Sequence, residues 1–277
     1  MVEVALATHD SDPTRRWFGP AADPSRLLSV GMKVAGGGPH QSKTMMFAEL
    51  STVLAYGATA DHADAILHQN LLGKPSMRSR EAALYRLRQL YGIGQPAPIC
   101  TALYCLWHRD PAGRPLLAIL CALARDSMLR DGADAVLDAA PGEVVRWPSI
   151  AATFEGRHPC RLGEKMSKSL AQNAASSWTQ SGHLSGAVQK RRTRANPTPT
   201  VAAYAALLAG LAGFGGPMLL ASRWMDVVDR PIEDRLSLLR QAEGLGLARV
   251  RTAGDVLEID VVRPMAETLG VPSLVNS

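Results

Sequence analysis

Residues 150–182 read IAATFEGRHPCRLGEKMSKSLAQNAASSWTQSG, and this stretch decides the fold that the sequence predicts. Apolar side chains recur every fourth position from Met166 to Trp178, which is the spacing of one buried face of a helix. The pattern predicts a long helix over about Glu164–Gln180, ended by Gly182, with Trp178 in the core. A short helix at Ile150–Phe154 and a turn precede it. The segment therefore predicts a helix-turn-helix.

The same region holds most of the positive charge. Between Arg157 and Arg194 there are eight Lys and Arg residues and one acid, Glu164, so this segment carries +7. Because the whole chain carries +5, the remaining residues together carry −2. Such a cluster beside a helix-turn-helix indicates a double-stranded DNA partner, since cationic side chains bind DNA phosphates.

The candidate DNA contacts are the basic residues of this region and the amides between them. Gln172 and Asn173 are the candidate base readers, because amide side chains can bond base edges. The full set is Arg161, Lys165, Lys168, Gln172, Asn173, Lys190, Arg191, Arg192 and Arg194.

Residues 27–142 predict a helical bundle. Apolar periodicity and turn residues place helices at about 45–56, 61–71, 76–91, 97–107, 115–125 and 127–137. The segment 115–125 is almost uniformly apolar, so we expect it at the centre of the bundle.

Residues 195–277 predict a second unit of three helices, at about 200–211, 218–228 and 231–243, followed by two strands around Ala253, Gly254 and Asp255. Strands flanking a Gly-Asp turn form a β-hairpin, so the unit has the elements of a winged helix. The uncharged run from Ala195 to Ser222 is long enough to span a membrane. However, Gly213 to Pro217 interrupt it, which favours two buried helices over a membrane span.

The predicted fold class is therefore mainly α, a helical bundle followed by helix-turn-helix and winged-helix-like units with a short β-hairpin. The predicted segments are a flexible tail (1–26), the bundle (27–142), a basic helix-turn-helix-like unit (143–194) and a winged-helix-like unit (195–277). The tail mixes charge with Pro and Gly and has no apolar leader, so we expect a cytoplasmic protein. The four cysteines (Cys100, Cys105, Cys121 and Cys160) form no CxxC pair, which favours reduced thiols.

Two motifs suggest chemistry but lack their usual context. Lys165 to Ser169 spell KMSKS, a motif of class I aminoacyl-tRNA synthetases, without a HIGH-type partner. Residues 37–44, GGPHQSKT, approach a phosphate-binding P-loop after a possible strand at Leu27–Val34, but Ser42 replaces the second glycine. The histidines have no metal-ligand spacing. We therefore expect a non-enzymatic protein with no catalytic residue, cofactor or metal.

Two alternatives stay open. The first is a protein–protein assembly module of a larger nucleic-acid-processing complex. The second is a P-loop-like nucleotide hydrolase that uses Lys43 and Thr44.

The order of segments resembles the BrxA-like family, small helical DNA-binding components of BREX phage-defence systems. The segments that carry the likeness are Gly36–Glu49, Asn70–Ile93, Arg114–Arg130 and Lys165–Leu184. The resemblance implies a non-enzymatic protein that binds double-stranded DNA and works with other defence-system proteins. The residues after Arg194 depart from the family, which leaves the partners of this chain open.

Overall fold

The computed structural model describes residues 16–57, 61–159, 162–254 and 256–275. These residues fold into 15 α-helices and five short strands, so the predicted mainly-α class with a short hairpin is confirmed. The helices are α1 (Pro24–Val30), α2 (Phe47–Ala55), α3 (His62–Leu67), α4 (Met77–Tyr91), α5 (Pro98–Arg109), α6 (Arg114–Arg125), α7 (Ser127–Asp131), α8 (Asp134–Leu137), α9 (Trp147–Arg157), α10 (Glu164–Gln180), α11 (Pro199–Leu211), α12 (Gly216–Leu220), α13 (Arg223–Asp226), α14 (Ile232–Glu243) and α15 (Val262–Leu269). The strands are β1 (Val144–Val145), β2 (Leu184–Ser185), β3 (Lys190–Arg192), β4 (Arg249–Ala253) and β5 (Val256–Asp260).

The chain divides into two compact units. The central unit is Gly31–Asn196, and the flanking unit combines Met1–Val30 with Pro197–Ser277. This division differs from the four segments that the sequence predicts. The predicted boundary between 142 and 143 falls inside the central unit, because α9 packs on α7 and α8 and α10 packs on α6.

The first half of the central unit is the predicted helical bundle. Every residue of α6 from Leu116 to Ala124 is buried, which confirms this helix as the centre of the core. Helix α4 begins where the Ser76 hydroxyl accepts the N–H of Ser79, and it ends at Gly92 in the left-handed region. The single helix predicted over 127–137 is instead two short helices, α7 and α8.

The second half of the central unit follows the order β1, α9, α10, β2, β3. The three strands form an antiparallel sheet with β3 in the middle, and Val144 and Leu184 lie opposite Arg191 and Arg192 on its two sides. Helix α9 is longer than predicted and packs along α10, while α10 has the predicted bounds. The β2–β3 hairpin therefore lies directly after α10 in the chain and contacts it through β2.

Helix α11 forms the core of the flanking unit. Ten consecutive residues, Thr200 to Ala209, are buried in it. It is followed by a break and then by α12, which begins with Gly216 and Pro217. The uncharged run thus contains two separate helices, as predicted, but the second helix predicted over 218–228 is instead two short ones, α12 and α13. None of the helices in the described part of the chain is long and apolar enough to cross a bilayer.

Part of the predicted flexible tail is structured. The Trp17 side chain is buried and meets Trp224 edge-on, with ring centroids 4.8 Å apart. The indole N–H of Trp224 donates to the Trp17 carbonyl over 2.7 Å. The sequence predicts a possible strand at Leu27–Val34, but α1 occupies the first half of this range and no strand forms in the rest. The tail prediction is wrong for residues 16–26, because an aromatic anchor holds them to the flanking unit.

The C-terminal hairpin is confirmed. Strands β4 and β5 pair antiparallel, with Arg249 opposite Asp260 and Ala253 opposite Val256. Gly254 occupies the turn with a φ of +58°. Helix α15 follows the hairpin and was missed by the sequence analysis, which did not carry the periodicity past Val261.

Candidate nucleic-acid interface

One face of α10 is exposed and polar. Lys165, Lys168 and Gln172 are exposed on it at helical spacing, while Leu170 and Trp178 are buried on the opposite side. Met166 departs from the predicted apolar face, because 44% of it is exposed. The helix therefore presents two lysines and an amide to the surroundings from a side that the core does not use.

A buried chain of hydrogen bonds fixes α10 to the loop before α2. His40 Nδ1 lies 2.8 Å from Asp126 Oδ2, and His40 Nε2 lies 2.9 Å from Ser177 Oγ. Burial opposes ionisation of Asp126, but the charge of His40 and its hydrogen bonds outweigh that effect and lower the pKa of the carboxyl. A serine, a histidine and an aspartate thus stand in the order of a hydrolase triad, which local sequence did not suggest.

These three side chains have a structural role. All three side chains are fully buried, so a substrate has no access to them. The Ser177 hydroxyl accepts the N–H of Met45 and donates to the carbonyl of Asn173. The Ser177 hydroxyl therefore uses its donor and acceptor positions to hold the chain in place, and it is not available as a nucleophile.

Asn173 belongs to the same network. Its amide nitrogen donates to the His40 carbonyl over 2.9 Å, and its side chain is half-buried. The sequence proposed Asn173 as a base reader beside Gln172. The structure places Gln172 on the exposed face and commits the Asn173 amide to the loop before α2.

The basic cluster 190–194 lies on and after the central strand of the small sheet. Lys190 Nζ donates to the Gly186 carbonyl, and the exposed Arg191 donates to the Gly142 carbonyl. Arg192 points the other way, is 4% exposed, and donates to the carbonyls of His183 and Thr193. Arg192 is therefore a core residue, which corrects its prediction as a DNA contact.

A basic groove runs between α10 and the β2–β3 hairpin. It encloses about 770 Å³. Its lining residues are Val144, Val145, Arg146, Trp147, Pro148, Lys168, Gln172, Ala175, Ser176, Ala187, Val188, Gln189 and Lys190. Three of these described residues, Arg146, Lys168 and Lys190, are cations and none is an acid. We call this surface the basic groove.

The groove also contains an aromatic ring. The Lys168 ammonium lies 5.3 Å from the centroid of the Trp147 ring, close enough for a cation–π contact. Arg146 occupies the N-cap position of α9 without a side-chain cap hydrogen bond, at the end of the helix where the dipole favours an anion. The groove thus combines three cations, an amide side chain and the positive end of a helix.

Several predicted basic residues lie outside this groove. Arg157 forms ion pairs with Asp131 and Asp134 at 3.0 and 2.6 Å, and these pairs tie α9 to α7 and α8. Arg194 is exposed and lies just after β3. Lys165 is exposed and lies at the start of α10. Arg161, a predicted contact, and Cys160 lie outside the described residues.

Arg146, Trp147 and the β2–β3 hairpin were not predicted from the sequence. Arg146 was not counted because it precedes the basic segment. The available signals were the β-branched pair Val144–Val145 and the Ser185–Gly186 turn after α10. Gly186 has a φ of +96°, and a Cβ there would lie 2.3 Å from the Gln189 carbonyl oxygen, so the turn requires glycine.

The described residues form neither a P-loop nor a metal centre. Residues 39–41 of the P-loop-like stretch form a 3-10 helix with Pro39 and His40 buried, and a helix rather than a strand precedes them. Lys43 is exposed. Within the described part of the chain, no three His, Cys, Asp or Glu side chains form a metal-binding group. Cys100 and Cys121 are buried, and Cys105 is partly buried.

Comparison of the chain with protein-family models, with curated proteins and with solved structures finds no significant match. The class of the protein is therefore defined by its own fold. It is a mainly helical protein in which a helix pair, a small antiparallel sheet and a basic groove form part of the central unit.

Proposed function

We propose that the protein binds double-stranded DNA through the basic groove and the exposed face of α10, without catalysing a reaction. The observation that carries the proposal is the groove itself, in which three cations and no acid flank an exposed helix face. The order β1, α9, α10, β2, β3 is that of a winged helix, in which a helix enters the major groove and a hairpin lies beside it. The major groove is about 12 Å wide and accepts one helix.

Each residue of the interface has a distinct role in this proposal. Lys165 and Lys168 on α10 and Arg146 at the start of α9 bind phosphates on either side of the inserted helix. Gln172, exposed at the middle of α10, is positioned to bond an adenine edge. Lys190 binds the backbone from the hairpin side of the groove.

The tip of the hairpin supports the same role. Val188 is 99% exposed, and its neighbours Ala187 and Gln189 line the groove. A short, uncharged tip flanked by cations suits contact with the sugars and backbone beside the inserted helix.

The family likeness in the sequence bears on the biological setting. We propose that DNA binding serves an accessory role in a phage-defence system, as the resemblance to BrxA-like proteins implies. Such a role would place the protein with the DNA in the cytoplasm. Co-purification of the tagged chain with the products of neighbouring genes tests this setting. Recovery of a methyltransferase or helicase would support it, and recovery of the chain alone would oppose it.

DNA binding itself is tested by substituting the three groove cations together. In the Arg146→Ala, Lys168→Ala, Lys190→Ala variant we expect duplex affinity to fall at least about a hundredfold, because each lost contact is a charge-assisted hydrogen bond. Fluorescence anisotropy of a labelled duplex measures the change.

The matched control removes three exposed arginines of the flanking unit, Arg240, Arg251 and Arg263. This control loses the same net charge but leaves the groove intact. We expect its affinity to stay close to that of the natural chain. Equal losses in the two variants would contradict the proposal, because they would indicate attraction by net charge alone.

A further inference from the structure

A second cleft in the central unit lies between the Gly-rich loop (residues 36–42) and α4. It encloses about 700 Å³. It is lined by Lys33, Gly36, Gly37, Gly38, Pro39, Gln41, Ser42, Arg78, Glu81, Ala82, Tyr85, Arg86, Gln89 and Met166. We propose that this cleft binds a nucleotide, with its phosphate between the Gly-rich loop and the basic side chains and its base on Tyr85.

The charges of the cleft favour an anion. Lys33, Arg78 and Arg86 face one acid, Glu81, among the described lining residues. No described residue forms a hydrogen bond or an ion pair with the Arg78 side chain, which is exposed. Arg86 donates to the Ser42 hydroxyl of the Gly-rich loop and to the Ala82 carbonyl of its own helix. A phosphate would supply the negative charge that these cations lack.

Lys33 lies in an unfavourable environment for a cation. Burial lowers the pKa of Lys33, the nearby Arg125 lowers it further, and the charge of Asp126 opposes these effects only in part. The Lys33 ammonium donates to the Gln89 side-chain oxygen, a neutral partner. An anion bound in the cleft would stabilise the charged form of this lysine.

The Gly-rich loop has an open backbone at its first residue, Gly36, which lines the cleft. Gly36 and Gly37 have φ values of +103° and +73°, a region that favours glycine. A Cβ built on Gly36 would meet nothing within 4 Å, so the space above this backbone is empty. The N–H groups of Gly37, His40, Gln41 and Ser42 already bond within the protein, so it is at Gly36 that an anion can approach the open backbone. Phosphate sites commonly use such side-chain-free backbone.

Tyr85 gives the cleft a surface for a planar ring. It lies on the same face of α4 as Arg78 and Arg86, and 63% of it is exposed. Aromatic side chains stack on bases irrespective of sequence. A phosphate next to an exposed aromatic ring matches the two parts of a nucleotide. Lys43 and Thr44, the residues of the P-loop alternative, do not line the cleft, so the proposal is binding and not hydrolysis.

The nucleotide can come from two sources. One is a free mononucleotide. The other is an unpaired nucleotide of a nucleic-acid strand, because Met166 of α10 lines the cleft and connects it to the helix face described above. The chemistry recognised is the same in both cases, and the inference does not rest on duplex binding.

The first experiment titrates the full chain, without nucleic acid, with ATP, pyrophosphate and adenosine by isothermal calorimetry. If the source is a free mononucleotide, we expect ATP and pyrophosphate to bind and the Arg78→Ala, Arg86→Ala variant to weaken both more than tenfold. Tyr85→Ala should weaken ATP about tenfold, or about 1.4 kcal/mol, and leave pyrophosphate unchanged. The Arg240→Ala, Arg263→Ala variant is the charge-matched control, and thermal melting confirms that each variant is folded.

The second experiment compares a blunt duplex with one that carries a single-stranded overhang. If the source is a strand, the overhang raises affinity, and the Arg78→Ala, Arg86→Ala variant removes that gain but keeps the affinity for the blunt duplex. Blunt-duplex affinity reports on the proposed function separately. The inference is overturned if neither ATP nor the overhang contributes binding, or if the gains persist unchanged in the variant.

Discussion

Adjacent arginines of β3 have opposite environments. Arg191 is exposed, whereas Arg192 is buried and bonded to backbone carbonyls. Side chains of a strand alternate between its two faces, so one arginine of the pair had to turn inward. The basic cluster could be predicted from the sequence. Its division into a core residue and a surface residue could not, because a strand of three residues has no pattern of its own to reveal it.

This division predicts different effects on stability. We expect Arg192→Ala to lower the free energy of unfolding by about 1–3 kcal/mol, because it removes a buried side chain together with its hydrogen bonds to the His183 and Thr193 carbonyls. Arg194→Ala should change it by less than about 0.5 kcal/mol, because that side chain is exposed. Urea denaturation measures both. Equal stability of the two variants would show that Arg192 is not part of the core.

The buried contact between Asp126 and His40 predicts a pH dependence. The lowered pKa of Asp126 means that its contribution to stability is complete above the usual value of 3.8 and is lost as pH falls through the lower folded value. We expect Asp126→Asn to lower the free energy of unfolding by about 2–3 kcal/mol at pH 7.

The same variant should lack this part of the acid-induced loss of stability. Denaturation at a series of pH values from 6 down to the acid limit of folding tests it. A variant that loses stability below pH 3.8 as steeply as the natural chain would contradict the role given to Asp126.

Among the elements, α10 could be predicted well and the sheet beside it could not. The bounds of α10 follow from its apolar spacing and from Gly182, and Ser76 marks the start of α4 in the same way. Strand β1 pairs with β3, although α9 and α10 separate the two strands along the chain. No local pattern specifies a pairing between such short and distant strands. The groove between α10 and the hairpin therefore could not be predicted from the sequence.

The turn of the hairpin provides a test at this scale. Gly186→Val should destabilise the hairpin by about 1–3 kcal/mol, because it combines a positive φ with a clash against the Gln189 carbonyl. We also expect weaker duplex binding.

Ser185→Val adds bulk at the exposed position just before the turn, does not change a residue that lines the groove, and is the control. Thermal melting and anisotropy measure the two effects. Unchanged duplex affinity in a destabilised Gly186→Val variant would separate the hairpin from DNA binding.

At the scale of the whole molecule, the two compact units do not follow the order of the chain. The flanking unit draws on both ends of the described chain, with Trp17 packed on Trp224. A tail rich in Pro and charge gave no periodic signal, so its tryptophan anchor could not be predicted. The central unit is continuous in sequence and contains both the basic groove and the Gly-rich loop.

This organisation predicts that residues 31–196 fold without the flanking unit. We expect the isolated fragment to melt cooperatively and to bind a blunt duplex within tenfold of the full chain, a difference of less than about 1.4 kcal/mol. Circular dichroism and anisotropy measure these properties. A folded fragment that does not bind would move the DNA contact to the flanking unit.

The most direct test of DNA binding through the basic groove is the salt dependence of duplex affinity. For the natural chain and the Arg146→Ala, Lys168→Ala, Lys190→Ala variant, anisotropy is measured across a series of salt concentrations. Each phosphate contact contributes about −0.9 to the slope of log affinity against log salt. We predict a steep slope for the natural chain that becomes shallower by roughly two to three in the variant. Identical slopes, or no binding by the natural chain at low salt, would contradict the account.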